Sequence, residues 1–360
     1  MKAINYGNVS EYLDIIYNRK MNAVPKKFLL LYLELTRSCS MRCKMCDIWR
    51  IKSNPKKELS TERLLKLADE STEMGVKVIT LFGGEPLFRK DLSKIIKKMS
   101  ENDIITSLNT NCFLLTEKRA KELYDSGLNH VSISLDGSQP EIHDYLRGVD
   151  GVFDKVVRGI KILRKYPISL SILTVITKHN YKDLANIVKL ANELGVNSVR
   201  FAPMHISYPY NIRGSQLTSL AKFNNKELID LRDEILRVKD LLRECGMTSD
   251  SDIYFENIPK FFLKKLEQIC FAGYAYCYID CYGNVSPCIK IPSTCDITNT
   301  TLKQIWHSEE FNKLRQRVRK LQCPGCWDIS YTEPNFICQP LYLLRHASET
   351  FKMVKHFGFK

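Results

Sequence analysis

The fold is decided by FLLLYLEL at residues 28–35 together with CSMRCKMC at residues 39–46. The first stretch is almost continuously apolar, which is typical of a strand that is buried on both faces of a parallel sheet. The second stretch follows the carboxyl end of that strand, where α/β proteins carry their functional loops. The sequence therefore predicts a buried strand that delivers a cysteine-rich loop to a functional site.

Strand and helix signals alternate from this strand to residue 202. Glycines stand just past several predicted helices, as at Gly75, Gly127 and Gly195, where helices commonly end. Six such units predict a parallel sheet with helical crossovers, hence the α/β class. The pattern alone leaves open whether the sheet spreads as a doubly wound sheet or closes partly into a barrel. The further predicted strands are 76–82, 104–108, 131–135, 169–176 and 199–202.

The composition is that of a globular protein with about two domains. The chain has 360 residues, of which 44% are hydrophobic and 26% are charged, so disorder is excluded as the main state. Glu11 and Asp14 interrupt the region where a signal peptide would be apolar, and Glu34 interrupts the longest apolar run. We expect neither a signal peptide nor a membrane span, and therefore a cytoplasmic protein.

The formal net charge of +14 follows from 54 basic and 40 acidic residues. One interpretation is an acidic partner such as nucleic acid, and the other is a general excess of lysine over helix faces. The lysine pairs are separated in sequence and no run of five basic residues occurs. We favour dispersed charge, which makes a nucleic-acid partner unlikely.

Thirteen cysteines in a chain without a secretion signal indicate metal binding or chemistry rather than disulfides. Cys39, Cys43 and Cys46 lie in one loop with three and then two residues between them. This spacing suits a [4Fe–4S] cluster with one iron left open for another ligand. A zinc site or buried free thiols are the alternatives.

The cysteine loop resembles that of the radical S-adenosylmethionine (radical SAM) superfamily, and the resemblance covers residues 28–202. It implies a partial (β/α)6 TIM-like barrel. It also implies that SAM binds the open iron and is reductively cleaved to a 5′-deoxyadenosyl radical, which abstracts hydrogen from a substrate. The cofactors would carry this radical chemistry, so no side chain is assigned as catalytic.

The resemblance extends to residues at the following strand ends. A Gly-Gly-Glu-Pro turn after the second strand is similar to the motif that receives the amino group of SAM, and a Ser-x-Asp-Gly sequence ends the fourth strand. Met45 and Cys112 depart from the family, which usually has an aromatic residue and a glycine at these positions. The implied SAM contacts are Gly83, Gly84, Glu85, Pro86, Asn109, Ser134, Asp136 and Arg147.

A second cysteine constellation follows residue 269. A predicted hairpin turn at residues 282–284 brings Cys270 and Cys288 together across a small two-stranded sheet, and a predicted helix over 301–321 returns the chain to Cys323 and Cys326. The pattern resembles the twitch and SPASM extensions of radical SAM proteins, which implies an auxiliary [4Fe–4S] cluster. A structural zinc site is the alternative. A second auxiliary cluster would draw on Cys277, Cys281, Cys295 and Cys338.

These signals divide the chain into five parts. We expect an N-terminal extension over residues 1–27 and the radical SAM core over 28–202. A linker and helical cover over 203–268 follows. A small C-terminal twitch/SPASM-like cluster-binding domain over 269–330 and a C-terminal tail over 331–360 complete the chain.

The expected function is that of a radical SAM oxidoreductase or maturase. We favour a small-molecule or cofactor-biosynthetic substrate, because the 27 residues before the first strand are too few for the peptide-recognition module of many peptide maturases. A peptide or protein maturase is the alternative, and a metal-binding nucleic-acid interaction protein is the second. A reductant such as ferredoxin or flavodoxin is the expected partner.

Overall fold

The structure is a computed structural model that describes residues 9–263, 266 and 268–339. The expected extension and tail therefore lie partly outside the described residues, at 1–8 and 340–360. Within the described residues, the strands form one sheet in the order β6-β5-β4-β3-β2-β1-β7-β8. The strands are β1 (Leu30–Thr36), β2 (Val78–Gly83), β3 (Ile105–Thr110), β4 (His130–Ser134), β5 (Ser169–Ile176), β6 (Ser198–Pro203), β7 (Tyr276–Ile279) and β8 (Val285–Ser286).

The first six strands run parallel to one another and carry helices between them, which confirms the predicted α/β class. The helices of this repeat are α2 (Thr61–Glu73), α3 (Leu92–Glu101), α4 (Glu117–Asp125), α5 (Pro140–Arg147), α6 (Val152–Leu163) and α7 (Leu184–Glu193), and α1 (Val9–Met21) precedes them. The later helices are α8 (Thr218–Ala221), α9 (Asn225–Glu244), α10 (Asp252–Phe262), α11 (Leu302–Trp306), α12 (Glu309–Arg319) and α13 (Ile329–Ile337).

Local sequence fixes where several of these helices begin. The Ser60 side chain accepts a hydrogen bond from the Arg63 amide at the start of α2, which satisfies a backbone donor that the helix itself cannot. Asn224 forms a reciprocal capping box with Glu227 at the start of α9. These caps fix the first residues of the two helices.

The predicted two-stranded sheet after residue 269 is instead a continuation of the main sheet. The hairpin does form, because β7 and β8 pair antiparallel, but β7 also pairs parallel with β1 from Leu30 to Leu33. All seven residues of β1 are buried, so its second edge needs a partner for its backbone groups. The hairpin provides that partner, and β1 becomes an interior strand.

The helix predicted over residues 301–321 is two helices, α11 and α12. His307 caps the end of the first, and Ser308 caps the start of the second by accepting a hydrogen bond from the Phe311 amide. The break lets Trp306 turn into the core, where its ring stacks on Phe28 at 4.3 Å and its indole N–H donates to the Pro25 carbonyl at 2.7 Å. Through these two contacts, Trp306 packs α11 against the chain that enters β1.

Helix α13 crosses the boundary that the sequence placed at residue 330 and packs across the open side of the barrel. The Tyr32 hydroxyl of β1 donates to the Ser330 carbonyl, and Glu333 accepts hydrogen bonds from both the amide and the hydroxyl of Ser251. A cavity of about 450 Å³ lies between this helix and the inner faces of the strands.

Among the residues that the structure describes, no helix combines the length and the apolar character that crossing a bilayer requires.

Replacing Trp306 with alanine should lower the free energy of unfolding by about 3–5 kcal/mol, because a fully buried aromatic side chain leaves a cavity. The measurement is denaturant unfolding under anaerobic conditions. Leu236→Ala is the control, since Leu236 is 51% exposed, and it should change stability by no more than about 0.5 kcal/mol. Equal losses in the two variants would contradict the packing role of Trp306.

Glu333→Gln should become increasingly stabilising as the pH rises from about 4.5 to about 7. Burial, aided by neighbouring Asp250, raises the pKa of Glu333 from 4.5 to about 7. The unfolded chain releases this proton at lower pH than the folded chain, so the wild type loses stability as the pH rises through that window. Thermal unfolding across the window measures the difference. A pH-independent difference for Glu333→Gln would refute the assignment.

Candidate active site

The cysteine loop, residues 39–46, is held on one side by the glycine-rich turn after β2. The Gly84 amide donates to the Thr36 carbonyl at 2.8 Å, and the Glu85 amide donates to the Ser38 carbonyl at 2.9 Å. A Cβ atom at Gly84 would lie 2.4 Å from the Ser38 carbonyl oxygen, closer than atoms can approach. Glycine is therefore required where the turn meets the chain entering the loop.

The Glu85 carboxylate ties this turn to the end of β3. One of its oxygens accepts from the Thr110 hydroxyl at 2.8 Å and from the Leu87 amide at 3.0 Å, and the other accepts from the Asn111 amide at 2.8 Å. Burial raises the pKa of Glu85, and these hydrogen bonds oppose that rise. The carboxylate thus orients the turn.

The end of α5 holds the cysteine loop on its other side. The Arg42 amide donates to the Arg147 carbonyl at 3.0 Å, and the Lys44 amide donates to the Leu146 carbonyl at 2.8 Å. Gly148 follows in the left-handed conformation with φ of +66°, and a Cβ atom there would lie 2.3 Å from the Arg42 carbonyl oxygen. The helix terminus and the loop therefore fit only through a glycine.

Arg147 and Asp136, both predicted SAM contacts, form a buried ion pair with each other. The guanidinium Nη2 lies 2.6 Å from the Asp136 carboxylate, which also accepts from the Val175 amide at 2.9 Å. The Arg147 Nη1 reaches the Cys43 sulfur at 3.8 Å. The pair places a positive charge beside a predicted cluster ligand, which favours the thiolate form of that cysteine.

The three thiols of the cysteine loop lie close enough to influence one another electrostatically. Burial raises the pKa of Cys39 and of Cys46 to about 12, and neighbouring Cys43 adds to both rises. Buried thiols gathered in one loop beside an arginine fit a [4Fe–4S] cluster held by three cysteines, because iron binds thiolates and displaces their protons. When bound, this cluster would hold SAM at its open iron.

The remaining predicted SAM contacts lie along neighbouring strand ends. Asn109 lines the cavity inside the barrel, Ser134 is the last residue of β4, and Pro86 begins a short helical turn after Glu85. Cys112 adopts φ of +57°, the left-handed conformation that explains why glycine is the usual residue at this position of the family. The contacts of these residues with SAM stay predictions.

The second cysteine set, Cys270, Cys288, Cys323 and Cys326, also comes together. Burial raises the pKa of Cys288 well above its usual value, and the other three thiols each add to that rise. Hydrogen-bonding groups surround the set: the Tyr276 hydroxyl lies 3.5 Å from the Cys270 sulfur, and the Gln268 amide nitrogen lies 3.5 Å from the Cys326 sulfur. The set fits four-cysteine ligation of an auxiliary cluster.

Cys277, Cys281, Cys295 and Cys338 have different charged neighbours, except that Cys277 and Cys295 both interact with Arg315. Cys277 is influenced by Arg315, Cys281 by Glu34 and Arg37, and Cys338 by Arg19. Across the described part of the chain, no three His, Cys, Asp or Glu side chains surround a position for a single metal ion. A four-iron cluster does not require that closeness, since each thiolate binds a different iron atom.

A buried polar network at the mouth of the barrel was not predicted from the sequence. Glu34 on β1 is fully buried; it pairs with Arg37 at 3.0 Å and accepts a hydrogen bond from the Tyr278 hydroxyl of β7. Arg37 also pairs with Asp280 at 3.2 Å. The available signal was a carboxylate inside an apolar strand, which is costly to bury without partners.

A second missed contact holds the segment after β6 over the cysteine loop. We call residues 204–213 the rim segment. Its Arg213 contacts the fully buried Asp47, the residue after Cys46: its amide donates to that carboxylate at 2.9 Å and its Nε at 2.5 Å. Its Nη2 donates to the Lys44 carbonyl at 2.8 Å. The rim segment is therefore held against the cysteine loop.

Two family models match the chain at the positions of the two cysteine sites. The model of the radical SAM superfamily matches residues 33–191. The model of the SPASM iron–sulfur cluster-binding domain matches residues 270–327, which include the whole second cysteine set. These matches imply [4Fe–4S] clusters and SAM as cofactors.

Curated relatives match most of the chain at low identity. An AdoMet-dependent heme synthase of Methanosarcina barkeri is 26% identical over 324 residues, which cover 83% of this chain and 90% of the relative. A PqqA peptide cyclase of Bradyrhizobium diazoefficiens is 27% identical over 336 residues, which cover 89% of this chain and 84% of the relative.

Solved structures share the fold of this chain. Streptococcus suis SuiB bound to S-adenosylmethionine has a TM-score of 0.67 at 18% identity, with 83% of this chain and 70% of that chain covered. The structure of anSMEcpe with bound AdoMet and a Cp18Cys peptide has a TM-score of 0.63 at 18% identity, with 91% and 97% covered. Together the two family models match more than half of the chain, at residues 33–191 and 270–327, and the chain is therefore a radical SAM enzyme with a C-terminal SPASM-like auxiliary iron–sulfur domain.

Proposed function

We propose that this enzyme oxidises a small-molecule precursor of a cofactor, and that an auxiliary cluster at Cys270, Cys288, Cys323 and Cys326 accepts the released electron. When bound and reduced, the SAM cluster and SAM would supply a radical that removes one hydrogen atom from the substrate. The four cysteines would hold an auxiliary cluster able to accept the electron that the substrate radical releases together with a proton. The protein's part is to place the substrate between the two cysteine sites and to exclude water.

The observation that carries this proposal is a stacked pair of tyrosines, of which one interacts electrostatically with a cysteine of the first site and the other with a cysteine of the second. Tyr208 and Tyr210 of the rim segment stack with their ring centroids 6.2 Å apart. Burial raises the pKa of Tyr210, with further contributions from Glu34 and Cys46. Burial also raises the pKa of Tyr208, to which Cys326 contributes. One aromatic pair is therefore close to a ligand of each predicted cluster.

The fixed positions of these rings support a common chamber for the two sites. The Tyr208 hydroxyl bonds to Asp328, which lies two residues after Cys326, while Arg213 anchors the same segment to Asp47 beside Cys46. A substrate held against this segment would lie near both sites at once. Such an arrangement suits a net oxidation, in which the hydrogen atom would leave towards the SAM site and the electron towards the auxiliary cysteine site.

The substrate class is supported by the relatives. The heme synthase of Methanosarcina barkeri, a cofactor-building enzyme by its name, is matched over 90% of its length. A second candidate function is peptide modification, which is favoured by the match over 84% of the Bradyrhizobium diazoefficiens PqqA peptide cyclase. In either case we propose that a one-electron carrier such as ferredoxin or flavodoxin reduces the enzyme, and that it works in the cytoplasm.

The substrate proposal is tested with the reconstituted enzyme, dithionite, SAM and deuterated candidates. A deuterated haem precursor should transfer its label to 5′-deoxyadenosine, whereas a deuterated PqqA-type peptide should not. Mass spectrometry of the 5′-deoxyadenosine gives the result, and a Cys43→Ala enzyme is the control without the SAM cluster. Label from the peptide alone would establish the second candidate. SAM cleavage without label from either would refute both.

Gly84→Ala should remove the SAM cluster and spare the auxiliary one, because the added Cβ meets the chain that enters the cysteine loop. Iron per chain should fall from about eight to about four atoms after anaerobic reconstitution. Gly151→Ala is the matched control: a Cβ at Gly151 meets nothing within 4 Å, although its φ of +74° carries backbone strain. Full iron content in Gly84→Ala would contradict the proposal that the SAM cluster binds at the cysteine loop.

A further inference from the structure

Lys290 is a buried lysine whose ammonium group is fully occupied by hydrogen bonds. Its side chain belongs to a residue that is 7% exposed. The ammonium nitrogen lies 2.9 Å from the Ser207 hydroxyl, 3.0 Å from the Gly325 carbonyl and 3.1 Å from the His205 Nδ1. An ammonium has three protons to donate, and these three acceptors match them. The geometry is that of a charged lysine held in one place.

Burial lowers the pKa of Lys290, and the neighbouring Cys326 and Asp328 oppose that fall. Burial, together with Lys290 itself, lowers the pKa of His205 well below its usual value, so its imidazole is neutral and can accept at Nδ1. The Tyr208 ring adds a further contact, since the ammonium nitrogen lies 5.1 Å from its centroid. Aromatic faces attract cations.

The position of Lys290 places the charge inside the auxiliary cysteine set. It follows Cys288 by two residues, and the carbonyl that it binds belongs to Gly325, between Cys323 and Cys326. Its ammonium group interacts electrostatically with all three of these cysteines. The same group bonds to the rim segment through Ser207, so it lies between the auxiliary set and the chamber proposed for the substrate.

We propose that Lys290 raises the reduction potential of the auxiliary cluster by holding a fixed positive charge beside its thiolates. The inference rests on the proposed cluster at the auxiliary cysteine set. Taking up one electron adds one negative charge to the cluster, and a nearby cation stabilises the reduced form more than the oxidised form. Net charge and hydrogen bonding around the sulfurs are known determinants of such potentials. Lys290 is thus a positioning residue for charge, which favours electron uptake from the substrate side.

The test is an electron paramagnetic resonance titration of the full-length chain, reconstituted anaerobically and poised with dithionite and mediators. Cys39, Cys43 and Cys46 are replaced by alanine so that only the auxiliary signal is observed. Lys290→Gln keeps a hydrogen-bond donor but removes the charge, and it should lower the midpoint potential. Lys290→Arg keeps the charge and should stay close to the parent. Lys303→Gln, at an exposed lysine of α11, should also stay close.

A second pair of variants leaves Lys290 in place. Ser207 is exposed, so substitutions there are well tolerated. Ser207→Asp puts a carboxylate against the ammonium and should lower the midpoint potential, whereas the neutral Ser207→Asn should not. This pair decides the matter if Lys290→Gln fails to take up iron.

The outcomes separate the inference from the proposed function. An auxiliary signal whose potential is the same in the parent, Lys290→Gln and Ser207→Asp overturns the role of Lys290 and leaves the proposed function standing. A parent chain that binds no auxiliary cluster overturns both. A potential that falls in Lys290→Gln and Ser207→Asp, but not in their charge-matched controls, establishes the inference.

Discussion

Four backbone hydrogen bonds hold the cysteine loop and the chain that enters it, and the active site depends on them. Two come from the amides of Gly84 and Glu85, and two join the loop to the end of α5. Three glycine-dependent contacts, at Gly83, Gly84 and Gly148, bring these elements closer than any side chain would allow. The loop is thus shaped by its surroundings, so that cluster binding requires little rearrangement of the backbone.

The two cysteine sites share a rigid support because β1 is common to both halves of the molecule. Its end delivers the cysteine loop, and its second edge carries β7 of the SPASM-like domain. Glu34 and Arg37 strengthen the junction, since they reach Tyr278 and Asp280 across it. A sheet with continuous hydrogen bonding keeps the distance between the two sites constant, which a flexible interdomain linker would not.

The sequence predicted the parallel core, both cysteine sets and the strand ends that surround them, because each of these rests on a local pattern. Apolar strands, glycine-terminated helices and short cysteine spacings are all visible within a few residues.

The contacts that could not be predicted are those between segments that are far apart in the sequence. No residue near β1 indicates that β7 pairs with it, and Asp47 contacts Arg213 across a sequence separation of 166 residues. The break at Ser308 was missed because a capping serine also fits the interior of a longer helical pattern. Lys290 lies two residues after Cys288 in the sequence, but its burial depends on His205 and Gly325, which only the fold brings near it.

The pairing of β1 with β7 has a consequence for how the polypeptide emerges from the ribosome. One edge of β1, residues 30–33, pairs with β2 early in synthesis, but its other edge is completed only by residues 276–279. At about 5–20 residues per second, that edge waits on the order of ten seconds or more. A bare apolar strand edge is a template for pairing with other nascent chains. The nascent protein is therefore most prone to misassembly before the β7–β8 hairpin has been synthesised. Its need for chaperones should be greatest in that interval.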